Sequence, residues 1–162
     1  MTISETPISD DTLRSIRGCA NDAAEMLGID LAQKANAEIV EAVDSFVHRW
    51  QKGERPKVNE DDDLSLTLGS LWAQQLVKEF GWQWATLTFH DRGDSKAIGV
   101  FSPDRSLAVY PFHFIHGCME KDATVTIMLA YNMLKDGNSI PPLPAHGFEN
   151  IMASIRHIVP RD

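Results

Sequence analysis

The sequence predicts an α+β fold with N-terminal helices, a small three-stranded antiparallel sheet, and C-terminal helices packed on that sheet. In the first half of the chain, apolar residues recur at three- and four-residue steps, the spacing of one helical face. After Gly81 they alternate with period two, which is typical of strands. A helical pattern returns after Pro111. We therefore expect helices both before and after the strands.

Length, composition and charge bound the class of protein. A chain of 162 residues with 43% hydrophobic residues suits one globular domain whose core needs no disulfide or metal. The formal net charge of −8 argues against nucleic acid and anionic membranes as partners, because both attract clustered Lys and Arg. No apolar run approaches the roughly 20 residues of a bilayer span. Cys19 and Cys118 form no CxxC pair and the chain start lacks a signal-peptide pattern, so we expect a cytoplasmic protein.

The first part of the chain predicts a flexible lead and two helices. Residues 1–9 are mostly small and polar, and we expect them to be the lead. Ser9 or Asp10 can cap the first helix, and Gly28 is placed to end it. Asp30 can cap the second helix.

Three polar residues of the second helix share one face. Glu41, Asp44 and His48 are separated by three and four positions, so a metal site or an acid–base site could form there. Carboxylates at this distance from a cation are also common on helix surfaces. We interpret the three residues as a solvated helix face.

The third helix contains an unusual glycine. The acidic run from Glu60 to Asp63 suits the positive N-terminus of this helix. Gly69 lies inside the helix, where glycine costs about 1 kcal/mol relative to alanine. Because Gly69 and Ala73 are four residues apart, they form a smooth strip on the helix surface. We therefore predict that another backbone packs closely on Gly69.

Three segments after Gly81 predict the strands of the sheet. They are WQWATLTFHD, KAIGVFS and SLAVYPF, and the turn sequences DRGDS and SPDR separate them. Short turns between alternating segments indicate an antiparallel meander. Arg92-Gly93-Asp94 spells an integrin-binding tripeptide, which we interpret as hairpin turn chemistry.

Strand parity divides the predicted sheet into two faces. An aliphatic set is expected to face the helices: Ala85, Leu87, Phe89, Ile98, Val100, Leu107 and Val109. The opposite set mixes aromatic residues with Thr and Ala: Trp84, Thr86, Thr88, Ala97, Phe101, Ala108 and Tyr110. Since aromatic residues are enriched at interfaces, Trp84, Phe101 and Tyr110 are the predicted partner-binding residues. The alternative is that the C-terminal helix folds back and covers this face.

Three helices are predicted after the sheet. FHFIHGCME forms a short helix, and Asp122 can cap a second helix that Gly137 ends. The last segment, GFENIMASIRHIVP, places Phe148 and Ile151 on one side of a helix that stops at Pro160.

One cluster has side chains that could carry chemistry. His113, His116 and Cys118, with Glu120 beside them, could bind zinc if His90 supplied a fourth ligand. Cys118 could also be a nucleophile with a histidine base. On a helix, however, Cys118 points away from the face that the two histidines share. The standard nucleotide-binding, hydrolase and metalloprotease motifs are absent from the sequence. We therefore predict no metal, no cofactor and no catalytic residue.

Aromatic and glycine landmarks give the chain a family resemblance. Leu-Gly-Ser-Leu-Trp (68–72), Gly-Trp-Gln-Trp (81–84) and Tyr-Pro-Phe (110–112) resemble a group of small bacterial domains of unknown function over roughly residues 64–135. The resemblance implies a helix, an antiparallel sheet and a covering helix. It implies no activity, cofactor or catalytic residue.

These observations favour a non-catalytic protein-binding module. The acidic charge suits a basic partner, as for an immunity-type or chaperone-like protein, and self-association is a further option. The alternative is a small-molecule-binding protein or an enzyme that uses the region of His113, His116 and Cys118.

Overall fold

A five-stranded sheet with helices on one face organises the chain. The structure is a computed structural model that describes residues 3–55, 63–121, 124–137, 140 and 142–153. The elements are β1 (Ile3–Pro7), α1 (Asp10–Leu27), α2 (Asn36–Gln51), α3 (Leu64–Phe80), β2 (Gln83–Phe89), β3 (Ser95–Phe101), β4 (Leu107–Val109), α4 (Pro111–Lys121), α5 (Ile127–Asp136) and β5 (Glu149–Asn150). The sheet order is β1-β2-β3-β4-β5. This architecture confirms the α+β class.

The prediction of a three-stranded sheet was wrong because both edges of the sheet carry an additional strand. Residues expected in the flexible lead form β1, which pairs antiparallel with β2. The pairing runs from Ile3 opposite Phe89 to Pro7 opposite Ala85. At the other edge, β5 pairs parallel with β4, so the sheet is mixed. Neither strand has a strong pattern of its own, because β1 is largely exposed and β5 has two residues. Backbone pairing with distant segments stabilises both strands.

The segment before the C-terminal helix also differs from the prediction. Phe148 was expected on a helical face, but its φ is 49°, in the left-handed region. Its backbone N–H donates to the carbonyl of Arg105 at 2.9 Å, so this segment lies against the β3–β4 turn. Residues 151–153 are helical. The predicted end at Pro160 lies outside the described residues.

Local capping places the helices as the sequence predicts in most cases. The hydroxyl of Ser9 accepts the N–H of Thr12, and Gly28 ends α1 with a φ of 69°. Asp63 caps α3 by accepting the N–H of Ser65 at 2.9 Å. The remaining acids of the run, 60–62, and the predicted cap at residue 122 lie outside the described residues.

The start of α2 was predicted too early. The carboxylate of Asp30 accepts the N–H of Ala32 at 3.0 Å, but it caps a separate turn. The helix begins at Asn36.

Helix α3 is the centre of the helical layer. All seven residues from Thr67 to Ala73 are buried, and the helix contacts α1, α2 and α4. A Cβ atom at Gly69 would lie 2.9 Å from Cδ1 of Phe112 and 3.2 Å from the carbonyl carbon of Pro111. The start of α4 therefore packs directly on Gly69, which confirms the predicted close approach. Among the described helices, none combines the length and apolar character that a bilayer crossing requires.

Candidate functional site

The hairpin register decides which side chains share a face of the sheet. Trp84 pairs with Val100 and Leu87 pairs with Ala97. The predicted faces were therefore wrong for β2. Its residues that were expected to face the helices lie on the other side of the sheet, and those expected on the other side face the helices, whereas β3 and β4 are as predicted. Trp84 joins Val100 and Val109 on the side that packs against the helices. The side away from the helices is called the outer face below.

The outer face carries a small apolar cluster of its own. Four of its residues are buried: Ala85, Leu87, Phe101 and Ala108. Four more pack around them and are half-buried: Ile3, Phe89, Tyr110 and Phe148. In the described part of the chain, no helical residue belongs to this cluster. Among the described residues, the side chains that cover the outer face therefore come from strands and loops.

Aromatic contacts bury Phe101 at the centre of the cluster. The rings of Tyr110 and Phe148 meet the Phe101 ring edge-on, at centroid distances of 6.0 Å and 5.7 Å. Such geometry is favourable because the positive ring edge meets the negative ring face. Burial raises the pKa of Tyr110. Each covering ring keeps an accessible part, so apolar surface is exposed on the outer face.

A groove of ≈ 530 Å³ runs beside these rings. Its lining combines apolar and charged side chains: Ile3, Glu5, Pro103, Arg105, His146 and Phe148.

The guanidinium of Arg105 forms a clasp within this groove. It donates to both carboxylate oxygens of Glu5, at 2.8 and 3.1 Å, and to the side-chain oxygen of Gln83 at 2.8 Å. Its remaining N–H groups donate to the carbonyls of Ser102 and Pro103. These contacts use all five donors of the side chain. The clasp therefore joins β1, β2 and the β3–β4 turn, and it lowers the pKa of Glu5 chiefly through the hydrogen bond from Arg105.

The turn that carries Arg105 is itself ordered by Asp104. The Asp104 carboxylate accepts the backbone N–H of Ser106 at 3.0 Å and the hydroxyl of Ser102 at 3.1 Å. The backbone hydrogen bond from Ser106 is the main cause of the lowered pKa of Asp104. The N–H of His146 donates to the Asp104 carbonyl at 3.0 Å, which brings the last groove segment alongside. The Asp104 carboxylate is consequently held ionised in the turn whose Pro103 and Arg105 line the groove.

The structure separates the three predicted partner-binding residues. Phe101 and Tyr110 lie together on the outer face, but Phe101 is fully buried. Trp84 is on the helical side, where its ring stacks on Phe112 at a centroid distance of 5.9 Å. Only Tyr110 of the three is both on the outer face and half-buried. The alternative, a C-terminal helix that covers this face, stays a prediction, because most of that helix lies outside the described residues. Phe148 precedes the helix and covers Phe101, whereas Ile151 and Met152 at its start belong to the main core.

The candidate metal cluster is not assembled on α4. His113 and His116 are exposed, whereas Cys118 is buried and its carbonyl accepts a hydrogen bond from Gln51 at 2.8 Å. Within the residues that the structure describes, no three His, Cys, Asp or Glu side chains are grouped to hold a metal ion. His90 instead lies between Ser4 and Asp94, with contacts of 2.6 and 2.7 Å.

The polar face of α2 has a structural role in addition to its contact with solvent. Asp44 accepts the backbone N–H of Met128 at 2.9 Å, in the first turn of α5. Its other oxygen lies 3.3 Å from Nε2 of His48. The interpretation as a solvated face was therefore wrong for Asp44, whose side chain is 16% exposed. A carboxylate at this position stabilises the N-terminus of α5.

Several outer-face residues were missed by sequence reasoning. Ile3, Glu5 and Arg105 are brought together only by the pairing of β1, and Phe148 only by the turn at residues 102–106. The alternation of Ala85, Leu87 and Phe89 was a visible signal, although it was assigned to the wrong face.

Comparisons of the chain with protein-family models, with curated proteins and with solved structures give no match. The resemblance to small bacterial domains therefore stays a prediction. Any function must be argued from the site itself.

Proposed function

We propose that this protein is a protein-binding module whose outer face receives an apolar segment of a basic partner protein. The observation that carries the proposal is a set of half-buried rings on the outer face, where the described residues include no helix: Phe89, Tyr110 and Phe148. One face of a small antiparallel sheet is usually solvated and polar. Aromatic side chains around a packed centre are instead the composition of an interface core.

Charge supports a basic partner. The chain has a formal net charge of −8. At the groove, Arg105 is neutralised by Glu5, while hydrogen bonds hold the Asp104 carboxylate ionised. A partner with Lys or Arg beside an apolar side chain is complementary to this arrangement, and such complementarity accelerates encounter. An immunity-type or a chaperone-like protein fits this description.

The test is affinity purification of the tagged protein from its native host, followed by footprinting of the complex with hydroxyl radicals. We expect one basic protein at equal amount, and lower oxidation of Phe89, Tyr110 and Phe148 in the complex. The exposed side chains of Leu66 and Leu129 serve as controls whose oxidation should not change.

Two outcomes would contradict the proposal. Protection of Leu66 or Leu129, with unchanged outer-face rings, would place the interface on the helices. Purification without any partner, together with a melting temperature that rises on addition of a small molecule, would favour the ligand-binding alternative. If two copies of this protein instead associated through the outer face, the binding surface would be the proposed one. The basic partner would be wrong, because the partner would be a second copy of the chain.

A further inference from the structure

Three residues at one corner of the sheet form a continuous chain of hydrogen bonds. Oγ of Ser4 lies 2.6 Å from Nε2 of His90, and Nδ1 of the same imidazole lies 2.7 Å from Oδ1 of Asp94. Ser4 is in β1, while His90 and Asp94 lie between β2 and β3. None of the three lines the groove of the outer face.

Local backbone geometry brings the three side chains together. Ser4 pairs with Thr88, which places Ser4 diagonally across from His90, the first residue after β2. A 3-10 turn at His90–Arg92 is followed by Gly93 and Asp94, with φ values of 68° and 57°. This turn returns the chain so that the Asp94 carboxylate meets the imidazole.

The chemistry of the groups fixes the direction of the hydrogen bonds. An ionised carboxylate only accepts, so Nδ1 of His90 carries a proton and its N–H donates a hydrogen bond to Asp94. In the neutral imidazole, Nε2 of His90 is then the acceptor for the hydroxyl of Ser4. A serine hydroxyl bonded to an imidazole that a carboxylate orients is the arrangement of an activated nucleophile.

We propose that Ser4 is a nucleophile that accepts acyl groups from small activated esters, with His90 as its general base. Asp94 acts as a positioning residue for the imidazole. The side chains of His90 and Asp94 are 47% and 71% exposed, and Ser4 is also exposed. An acyl donor is therefore expected to approach Ser4 from solvent.

The reaction has two balanced halves. Oγ of Ser4 bonds to the ester carbonyl carbon while Nε2 of His90 takes the hydroxyl proton. The bond to the leaving oxygen then breaks, and that oxygen takes the proton from His90. Water attacks the acyl-serine with His90 again as the base, and the proton returns to Oγ of Ser4 as the carboxylic acid leaves.

The size of the effect follows from the exposed setting. A positioned general base contributes about 10²–10⁴-fold, and an exposed site is expected at the lower end of that range. We therefore expect the acylation of Ser4 to be on the order of 10² faster than that of an exposed serine without a histidine.

The experiment uses the full chain with p-nitrophenyl acetate as the acyl donor, and mass spectrometry locates the acetyl group. We expect early acetylation at Ser4, and its loss in Ser4→Ala and His90→Gln. Ser15→Ala and His113→Gln are matched controls, because both residues are exposed on helices. Thermal melting of each variant establishes that it is folded.

The variants also separate the proposal from its rivals. Unchanged ester hydrolysis in Ser4→Ala, with loss in His90→Gln, would show that the imidazole itself is the nucleophile and would overturn the role of Ser4. Acetylation spread over lysines, with no preference for Ser4, would overturn it as well.

The positioning role of Asp94 needs its own measurement. In Asp94→Asn the amide can donate to Nδ1, which moves the ring proton to Nε2 and blocks acceptance from Ser4. We expect ¹⁵N NMR of His90 to show this tautomer change together with at least a tenfold slower acetylation. An unchanged tautomer and rate would exclude a positioning role. This activity is independent of the protein-binding proposal, since the two use different side chains.

Discussion

The two faces of one sheet are covered in different ways. On the helical side, Val100 and Val109 lie in the main core, where α4 packs directly on the bare backbone of Gly69 in α3. On the outer face, Leu87 and Phe101 are equally buried, and the described side chains that cover them come from strands and loops. The cover on the outer face leaves partly accessible rings, and our proposal of binding at that face rests on them.

The largest expected effect lies on the helical side. We expect Gly69→Leu to lower the free energy of unfolding by about 3 kcal/mol, because the new side chain must displace Phe112 and the backbone of Pro111. Urea denaturation measures this change. Gly69→Ala should also destabilise, although alanine has the higher helix propensity.

Gly18→Ala is the matched control for this experiment. Gly18 is in α1, and a Cβ atom there would meet nothing within 4 Å. Alanine at that position should raise the free energy of unfolding by up to about 1 kcal/mol. A gain of stability in Gly69→Ala equal to that in Gly18→Ala would show that α4 does not pack closely on α3.

A second glycine tests the outer face. A Cβ atom at Gly99 would lie 2.6 Å from the carbonyl oxygen of Val109 and 3.1 Å from Cδ1 of Tyr110. We expect Gly99→Ala to cost about 2 kcal/mol in chemical denaturation, since β3 and β4 must separate slightly. Gly117→Ala in α4, which meets nothing within 4 Å, should not destabilise. Equal effects for the two variants would mean that β4 is loosely held.

The clasp between Glu5 and Arg105 gives a smaller, pH-dependent effect. The pKa of Glu5 is lowered in the folded protein, chiefly by the hydrogen bond from Arg105. The stabilisation that the ionised Glu5 gives the folded protein is therefore complete above pH 4.5, the ordinary pKa of glutamate. It is lost as the pH falls through the lower pKa of the folded state. We expect Glu5→Gln to cost about 1 kcal/mol at neutral pH. The difference from the unmodified protein should shrink below pH 4.5, and a difference independent of pH would contradict the ion pair.

The smallest expected change concerns a buried hydroxyl in α3. Oγ of Ser70 is buried and has no hydrogen-bond partner among the described residues. An unpaired buried polar group is costly, so Ser70→Ala should be neutral or slightly stabilising in thermal melting. A loss above about 1 kcal/mol would indicate a hydrogen bond to the hydroxyl.

Local signals explain which parts of the fold could be predicted. Ser9, Gly28 and Gly81 mark helix ends through contacts within a few residues, so the sequence alone shows them. The edge strands depend on pairing with distant segments, as between Ile3 and Phe89. Nothing in the local pattern of β1 indicates that pairing.

The same distinction between local and long-range contacts applies to the outer face and to the hydrogen-bond chain of Ser4, His90 and Asp94. The alternation of β3 identified Phe101 on the side away from the helices, but the register of the hairpin decides which side chains of β2 join it. Ser4 and His90 are 86 positions apart, so no spacing pattern could connect them. His90 and Asp94 are four residues apart, and this was the one local signal of the hydrogen-bond chain.

Placing a new positive charge on each side of the molecule tests the central claim most directly. Phe89→Arg puts a cation among the outer-face rings, and Leu129→Arg puts the same cation on the exposed surface of α5. The amount of basic partner that co-purifies with each folded variant is the measurement. We expect Phe89→Arg to lose the partner and Leu129→Arg to retain it, because like charges at an interface repel. Retention by Phe89→Arg, or loss by Leu129→Arg alone, would contradict binding at the outer face.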